Sequence, residues 1–185
     1  MREKGIQILK KIDSISYAGR FHIGTFLVEL PDGTRTHFYI RESRPFSIVI
    51  PVLDDGRFVM VRQYRIGADT FSIEFPMGEV QGVEYPEAAV IELKEETGYQ
   101  AKRFTHIGQF YISPGWSTQV GHIYLATRLI PGEQELEPYE FIEVVHMSEA
   151  EIDQFIDQGK IMDASTLIAY STYKRFRDKH HGNHE

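Results

Sequence analysis

The chain contains no cysteine. That excludes disulfides, a thiolate nucleophile and a zinc–thiolate site. Positive charge is also scarce, with 20 Lys and Arg against 27 Asp and Glu and a formal net charge of −7. No long basic stripe is present, so nucleic acid is not expected as a partner. Local arginines and a metal ion would still let an acidic protein bind phosphates. No apolar run approaches membrane-spanning length, so no membrane association is expected. The opening residues, Met1 to Ile6, lack the apolar stretch of a signal peptide, and a cytoplasmic protein is expected. Internal repeats and low-complexity linkers are missing as well. What remains is 185 residues, 42% hydrophobic and 12% aromatic, enough for one well-buried domain with a small appended sheet.

The N-terminal part reads as antiparallel sheet. Phe21 to Leu30 is rich in strand formers, Pro31-Asp32-Gly33 is a turn, and Thr34 to Ile40 returns. This hairpin is either a dimer-forming sub-sheet or an edge of the main sheet. Phe46 to Leu53 is a continuous apolar run and predicts a buried strand. After the Asp54-Asp55-Gly56 turn, a strand from Arg57 ends in Arg62-Gln63-Tyr64-Arg65. Its two arginines suit phosphate oxygens or surface salt bridges equally well. Phe71 to Pro76 is a short strand, and Met77 to Gly82 is a glycine-bounded loop. Strands follow at Phe104 to Ile112, Gln119 to Thr127 and Phe141 to Met147, with an acidic loop carrying Glu133, Glu135 and Glu137 before the last. The only tryptophan, Trp116, stands in Ser113-Pro114-Gly115-Trp116-Ser117, placed to stack on a base or sugar or to plug the core. Ser148 and Glu151 form a capping-box signature for a helix that Gly159 ends. A last helix spans Ala164 to Arg177, and 179–185 is a polar tail.

The most informative stretch is Pro86 to Gly98. Pro86 suits a first helical position, and Gly98 suits the left-handed position after the last turn. Glu92, Glu95 and Glu96 fall at i, i+3 and i+4, so three carboxylates share one face. Ala89, Val90, Leu93 and Thr97 are left for packing. Such a face is either solvated or neutralised by a hard divalent cation with oxygen ligands, Mg²⁺ or Mn²⁺.

These residues resemble the Nudix hydrolase family. Glu87 to Tyr99 fits the second half of that family's sequence box, with Glu92, Glu95-Glu96 and Gly98 at its fixed spacings. Arg62 to Arg65 and Ile73 to Gly78 look like the lead-in to the box. The Pro114 loop, Phe141 to Val144 and Asp163 to Leu167 look like the ADP-ribose and nucleoside-diphosphate-sugar branch. There are two departures: Ile91 stands where the family has arginine, and Val83 stands where it has glutamate before the helix. The Gly78 to Gly82 loop is one residue short. The shortening is placed in the loop because one residue removed from a helix turns every later side chain by about 100°.

The resemblance implies an α/β fold, the Nudix α/β/α sandwich with a mixed sheet over 44–178, preceded by a small antiparallel sub-sheet over 1–43 that serves dimerisation. It implies a Mg²⁺-dependent pyrophosphatase acting on a small nucleotide sugar, ADP-ribose or a compound such as GDP-mannose, and a homodimer. Glu92, Glu95 and Glu96 would ligate metal, with the Met77 carbonyl completing the shell. Glu137 or Glu140 would be the general base. Arg65 and Gly78 would meet phosphate, Glu74 the base or ribose, and Trp116 a ring. Ile91 and Val83 support an alternative, a Nudix-fold sensor of nucleotide sugars with weakened catalysis.

Overall fold

A computed structural model describes residues 5–18, 21–79 and 82–181. The chain forms two compact units: Met1–Pro45 with Tyr111–Val120, and Phe46–Phe110 with Gly121–Glu185.

The first unit is an antiparallel sheet in the order β1-β2-β3, with β1 at Gln7–Tyr17, β2 at Phe21–Glu29 and β3 at Arg35–Glu42. β2 and β3 match the expected hairpin. Their turn is closed by Asp32, whose Oδ1 accepts the Thr34 N–H at 2.8 Å, and by Gly33 at φ 86°. β1 was not legible. Its register with β2 slips twice, between Ile8 and Lys10 and between Lys11 and Asp13, which breaks any two-residue period. All of its residues are exposed, so no inward face imposes a pattern. The Trp116 loop belongs to this unit. The Arg41 N–H donates to Trp116 O at 2.7 Å and the Thr118 N–H to Arg41 O at 3.0 Å, pinning the loop to the end of β3. The Trp116 side chain is half exposed rather than a core plug.

Among its described residues the second unit holds two sheets and three helices. β4 (Phe46–Pro51) pairs in parallel with β9 (Val120–Ile130), in the order β7-β4-β9-β8, with β7 at Met77–Gly78 and β8 at Gln100–Tyr111. β5 (Phe58–Arg65) lies between β10 (Glu143–Met147) and β6 (Thr70–Glu74), antiparallel to both. Successive strand residues point to opposite faces. Ile48, Ile50 and Ile123 enter one core with Ile152 of α2 (Glu149–Asp157) and Ala169 and Tyr170 of α3 (Ala164–His181). Their neighbours Val49, Tyr124 and Ala126 enter a second core with Ala89 and Leu93 of α1 (Tyr85–Thr97). Strands covered on both faces explain the uninterrupted apolar run of β4. The unit is the expected α/β/α sandwich with a mixed sheet.

Local chemistry sets the helix ends. α2 has the full capping box: Ser148 Oγ accepts the Glu151 N–H, and Glu151 Oε2 accepts the Ser148 N–H at 2.7 Å. Asp163 Oδ2 accepts the Thr166 N–H at 2.7 Å at the start of α3. α3 continues to His181, past the Arg177 end read from the sequence. Residues 182–185 of the expected polar tail lie outside the described residues. Met77 and Gly78 were expected in a loop but pair with Ile48 and Ser47. Val90 was expected to pack but is exposed; Ala88 takes the buried place.

Candidate active site

α1 runs unbroken from Tyr85 to Thr97. Pro86 lies in its first turn, and Gly98 caps it at φ 75°, donating its N–H to Lys94 O at 2.8 Å. The buried stripe of the helix is Ala88, Ala89, Glu92, Leu93, Glu96 and Thr97. Two of the three clustered glutamates are therefore inside: Glu92 is 9% exposed and Glu96 5%. A solvated acidic face is excluded.

The β6–α1 connection receives both carboxylates. Glu96 Oε2 accepts the Met77 N–H at 2.9 Å. The Glu92 carboxylate lies against Gly78, where an added Cβ would fall 2.3 Å from Oε1. Gly78 is needed for this close approach and not for an unusual backbone conformation. Burial pushes the Glu96 carboxyl up to about 8, helped by the negative charge of Glu92 and then of Glu140, while the Met77 N–H and Arg65 oppose the rise. Burial pushes Glu92 up to about 7, reinforced by Glu95, Glu140, Glu137 and Glu79. Glu95 is also raised, by burial and by Glu140, Glu137 and Glu135. The structure thus gathers Glu92, Glu95 and Glu96 with both sequence-read base candidates, Glu137 and Glu140. Those two sit in one turn, where Glu140 Oε2 accepts the Glu137 N–H at 2.9 Å.

Arg65 and Glu74, read separately as substrate contacts, are bonded to each other. Arg65 Nε donates to Glu74 Oε1 at 2.8 Å and Nη2 donates to Oε2, a two-pronged pair on a carboxylate that is 1% exposed. Arg62 follows the salt-bridge alternative, pairing with Glu143 at 3.1 Å, and it also lies 3.9 Å from the Phe71 ring centroid. Trp116 belongs to the first unit. Two residues given no role in the sequence join the site. Asp163 feels the charges of Glu74 and Arg65. Gln134 donates its side-chain amide to Glu96 O at 2.6 Å. Asp163 was visible as a helix cap, whereas nothing in the sequence marks Gln134.

Among the described residues, no three His, Cys, Asp or Glu side chains converge as a ready-made metal cage. The donor chemistry still fits a hard divalent ion. Buried carboxylates crowd one another and raise one another's proton affinity, and oxygen donors are what Mg²⁺ and Mn²⁺ take.

An α/β/α sandwich that buries clustered carboxylates beside a glycine-bounded connection defines an acidic-site α/β protein. The chain belongs to the Nudix family: the NUDIX domain model matches residues 43–165. It is 35% identical over 145 residues to the ADP-ribose pyrophosphatase of Bacillus subtilis (strain 168), covering 77% of this chain and 78% of that one. It is 32% identical over 145 residues to the methanol dehydrogenase activator of Bacillus methanolicus, covering 77% and 78%. A crystal structure of an ADP compounds hydrolase superposes with a TM-score of 0.83 at 21% identity, covering 97% of both chains.

Proposed function

We propose that this Nudix pyrophosphatase hydrolyses the diphosphate bridge of a nucleoside diphosphate joined to a sugar, ADP-ribose or a nucleotide sugar such as GDP-mannose. Water adds to one phosphorus, the bridging P–O bond breaks, and the products are a nucleoside monophosphate and a sugar phosphate. The observation that carries this reading is the burial of Glu92 and Glu96 beside Glu95, with Glu137 and Glu140 close enough to raise their proton affinity. The ADP-ribose pyrophosphatase likeness supports the substrate class.

Glu92, Glu95, Glu96 and the Met77 carbonyl would hold Mg²⁺, or Mn²⁺ in its place. Such an ion supplies charge to the phosphoryl oxygens and lowers the pKa of a bound water. The chain's own groups do the rest. Gly78 leaves space for the Glu92 carboxylate. The Met77 N–H holds Glu96 in one orientation. Glu140 or Glu137 accepts the proton of the attacking water, for which hydrogen-bond reach is required. Arg65 spends two N–H groups on Glu74, and its remaining donors are available to a phosphate. Glu74 then acts by fixing Arg65, in addition to the base or ribose contact read from the sequence. Trp116 is the candidate for stacking on a base or sugar.

The reading includes a homodimer formed through β1, whose Ile8, Ile15 and Tyr17 are among the most exposed apolar side chains of the first unit. It also includes a cytoplasmic setting and no nucleic-acid partner, in keeping with the net charge of −7. No helix among the described residues is long and apolar enough to cross a membrane.

The test is phosphate-ester release from ADP-ribose and GDP-mannose with and without Mg²⁺. Turnover of at least one, abolished by EDTA and by Glu96→Gln in a folded protein, is the expected result. Tight binding across a broad diphosphate panel with no turnover would overturn it. That outcome would favour the sensor reading, for which Ile91 in place of a box arginine is the observation.

A further inference from the structure

The last four carbonyls of an α-helix have no partner within it. In α1, which ends at Thr97, partners are described for three of these four. Lys94 O accepts from the Gly98 N–H at 2.8 Å, and Glu95 O accepts from the Glu135 N–H at 3.0 Å. Glu96 O accepts from Gln134 Nε2 at 2.6 Å. The last two donors come from the segment between β9 and β10, nearly forty residues further along. The same Gln134 nitrogen also donates to Ile142 O at 3.3 Å. One side chain therefore ties the start of this segment, its end and the helix terminus together.

The backbones meet without side chains between them. A Cβ on Gly98 would come 2.6 Å from Gly132 O, and a Cβ on Gly132 would come 2.8 Å from Gly98 O. Lys94 adds an ion pair to Glu135 at 2.8 Å. From Pro131 to Phe141 no side chain is buried, and Ile142 is the first that is. Between the Gln134 and Ile142 tie points stand Glu137 and Glu140.

We propose that Gln134 is a positioning residue for hydrolysis. Its side-chain amide holds the segment bearing Glu137 and Glu140 against the carboxyl end of the helix bearing Glu95 and Glu96. It thereby sets the distance between the proton acceptor and the carboxylate cluster. This rests on the reading that Glu137 or Glu140 takes the proton from water. Misplacing a reacting group by about 1 Å can cost on the order of 100-fold in rate, and the Gln134 bonds to Glu96 O and Ile142 O bracket the stretch that carries Glu137 and Glu140.

The experiment uses the full chain with ADP-ribose and saturating Mg²⁺. It compares wild type, Gln134→Met, Gln134→Lys and the double variant Glu137→Gln/Glu140→Gln, measuring kcat, KM, the pH profile of kcat and the urea midpoint. Gln134→Met keeps the length and removes the donor. It is expected to lower kcat at least tenfold, move KM less than threefold, displace the acid limb of the pH profile and leave the urea midpoint near wild type. Gln134→Lys restores a donor at the helix carboxyl end, where positive charge is favoured, and is expected to recover most of kcat. A Gln134→Met kcat within twofold of wild type, while the double variant is inactive, overturns the clamp alone. A fall in kcat matched by lost stability, and not recovered by lysine, also overturns it by showing a merely structural role. A double variant with wild-type kcat removes the base assignment and this proposal with it. A wild type that turns over no diphosphate removes the hydrolase reading itself.

Discussion

Glu96→Gln tests the electrostatics of the site without reference to turnover. In an unfolded chain this carboxyl ionises near its ordinary value of 4.5, whereas in the folded protein without metal it is pushed up to about 8. Between those values the folded state keeps a proton that the unfolded state has released. Stability therefore falls as pH rises from 4.5, and the loss is complete above about 8. At 1.36 kcal/mol per pH unit, that interval corresponds to on the order of 5 kcal/mol. Buried sites behave as more polarisable than dry protein, so about half of this, ~2 kcal/mol, is the expected gain when the charge is removed. Glutamine keeps the shape and still accepts the Met77 N–H that Glu96 accepts at 2.9 Å.

Urea denaturation in EDTA at pH 5 and at pH 8.5 reads this directly. At pH 5 most of the difference is expected to be absent, within about 0.5 kcal/mol, because the native carboxyl still holds its proton and the unfolded one has only begun to release it. At pH 8.5 the variant is expected to be more stable by ~2 kcal/mol, or about 1 M in urea midpoint. Mg²⁺ at 100 times its Kd should then stabilise wild type by about 2.7 kcal/mol and the variant far less. A variant no more stable than wild type at pH 8.5 would refute the reasoning. It would mean that protein cations already balance the cluster and that it has no electrostatic need of a metal.

Gly78→Ala places a Cβ 2.3 Å from the Glu92 carboxylate; the flexible side chain must move, so metal-dependent kcat is expected to fall more than tenfold while the circular dichroism spectrum is unchanged. Arg65→Met leaves the Glu74 carboxylate, 1% exposed, without its cation. Removing one partner of a buried pair costs about 3–5 kcal/mol, reduced here to ~2 kcal/mol because Arg65 itself is partly exposed. Calorimetry should then show Tm lower by ~4–8 °C. Ile8→Lys with Ile15→Lys alters side chains that are 67% and 66% exposed, so the fold is expected to survive, and sedimentation is expected to show a dimer for wild type and a monomer for the variant.

Legibility in the sequence followed how local each cause was. Gly98 and Pro86 end their helix by intrinsic backbone preference, and Ser148 and Glu151 cap theirs within four residues, so all were readable. The apolar run of β4 was readable because both of its faces are covered. β1 was not, because its two register slips scramble the period and no buried face restores it. The Arg65–Glu74 pair was read as two separate substrate contacts. It forms only because the β5–β6 register sets Arg65 opposite Thr70 and Val61 opposite Glu74, so the long arginine runs back along one face to reach the carboxylate. Gln134 was invisible for the same reason: its partner is a main-chain oxygen of a distant helix, which no side-chain pattern reports.

Ile91 bears most directly on how the site is balanced. The resemblance expects a cation there, in the middle of the carboxylate helix, and the chain supplies a half-buried aliphatic instead. Among the groups that act on Glu96, the cation is Arg65, already committed to Glu74. Lys94 acts on Glu95 but is tied to Glu135. Each of these cations therefore serves an acidic partner outside the cluster as well, and Glu92 has none among its principal influences. A family member with the arginine can share the cluster's charge between protein and metal. In this chain the charge falls more fully on the proton or on a divalent ion, so the substitution is expected to tighten the dependence of the fold on metal at alkaline pH. Absence of the box arginine and catalysis would then be compatible, because a bound divalent ion would neutralise what the arginine otherwise would.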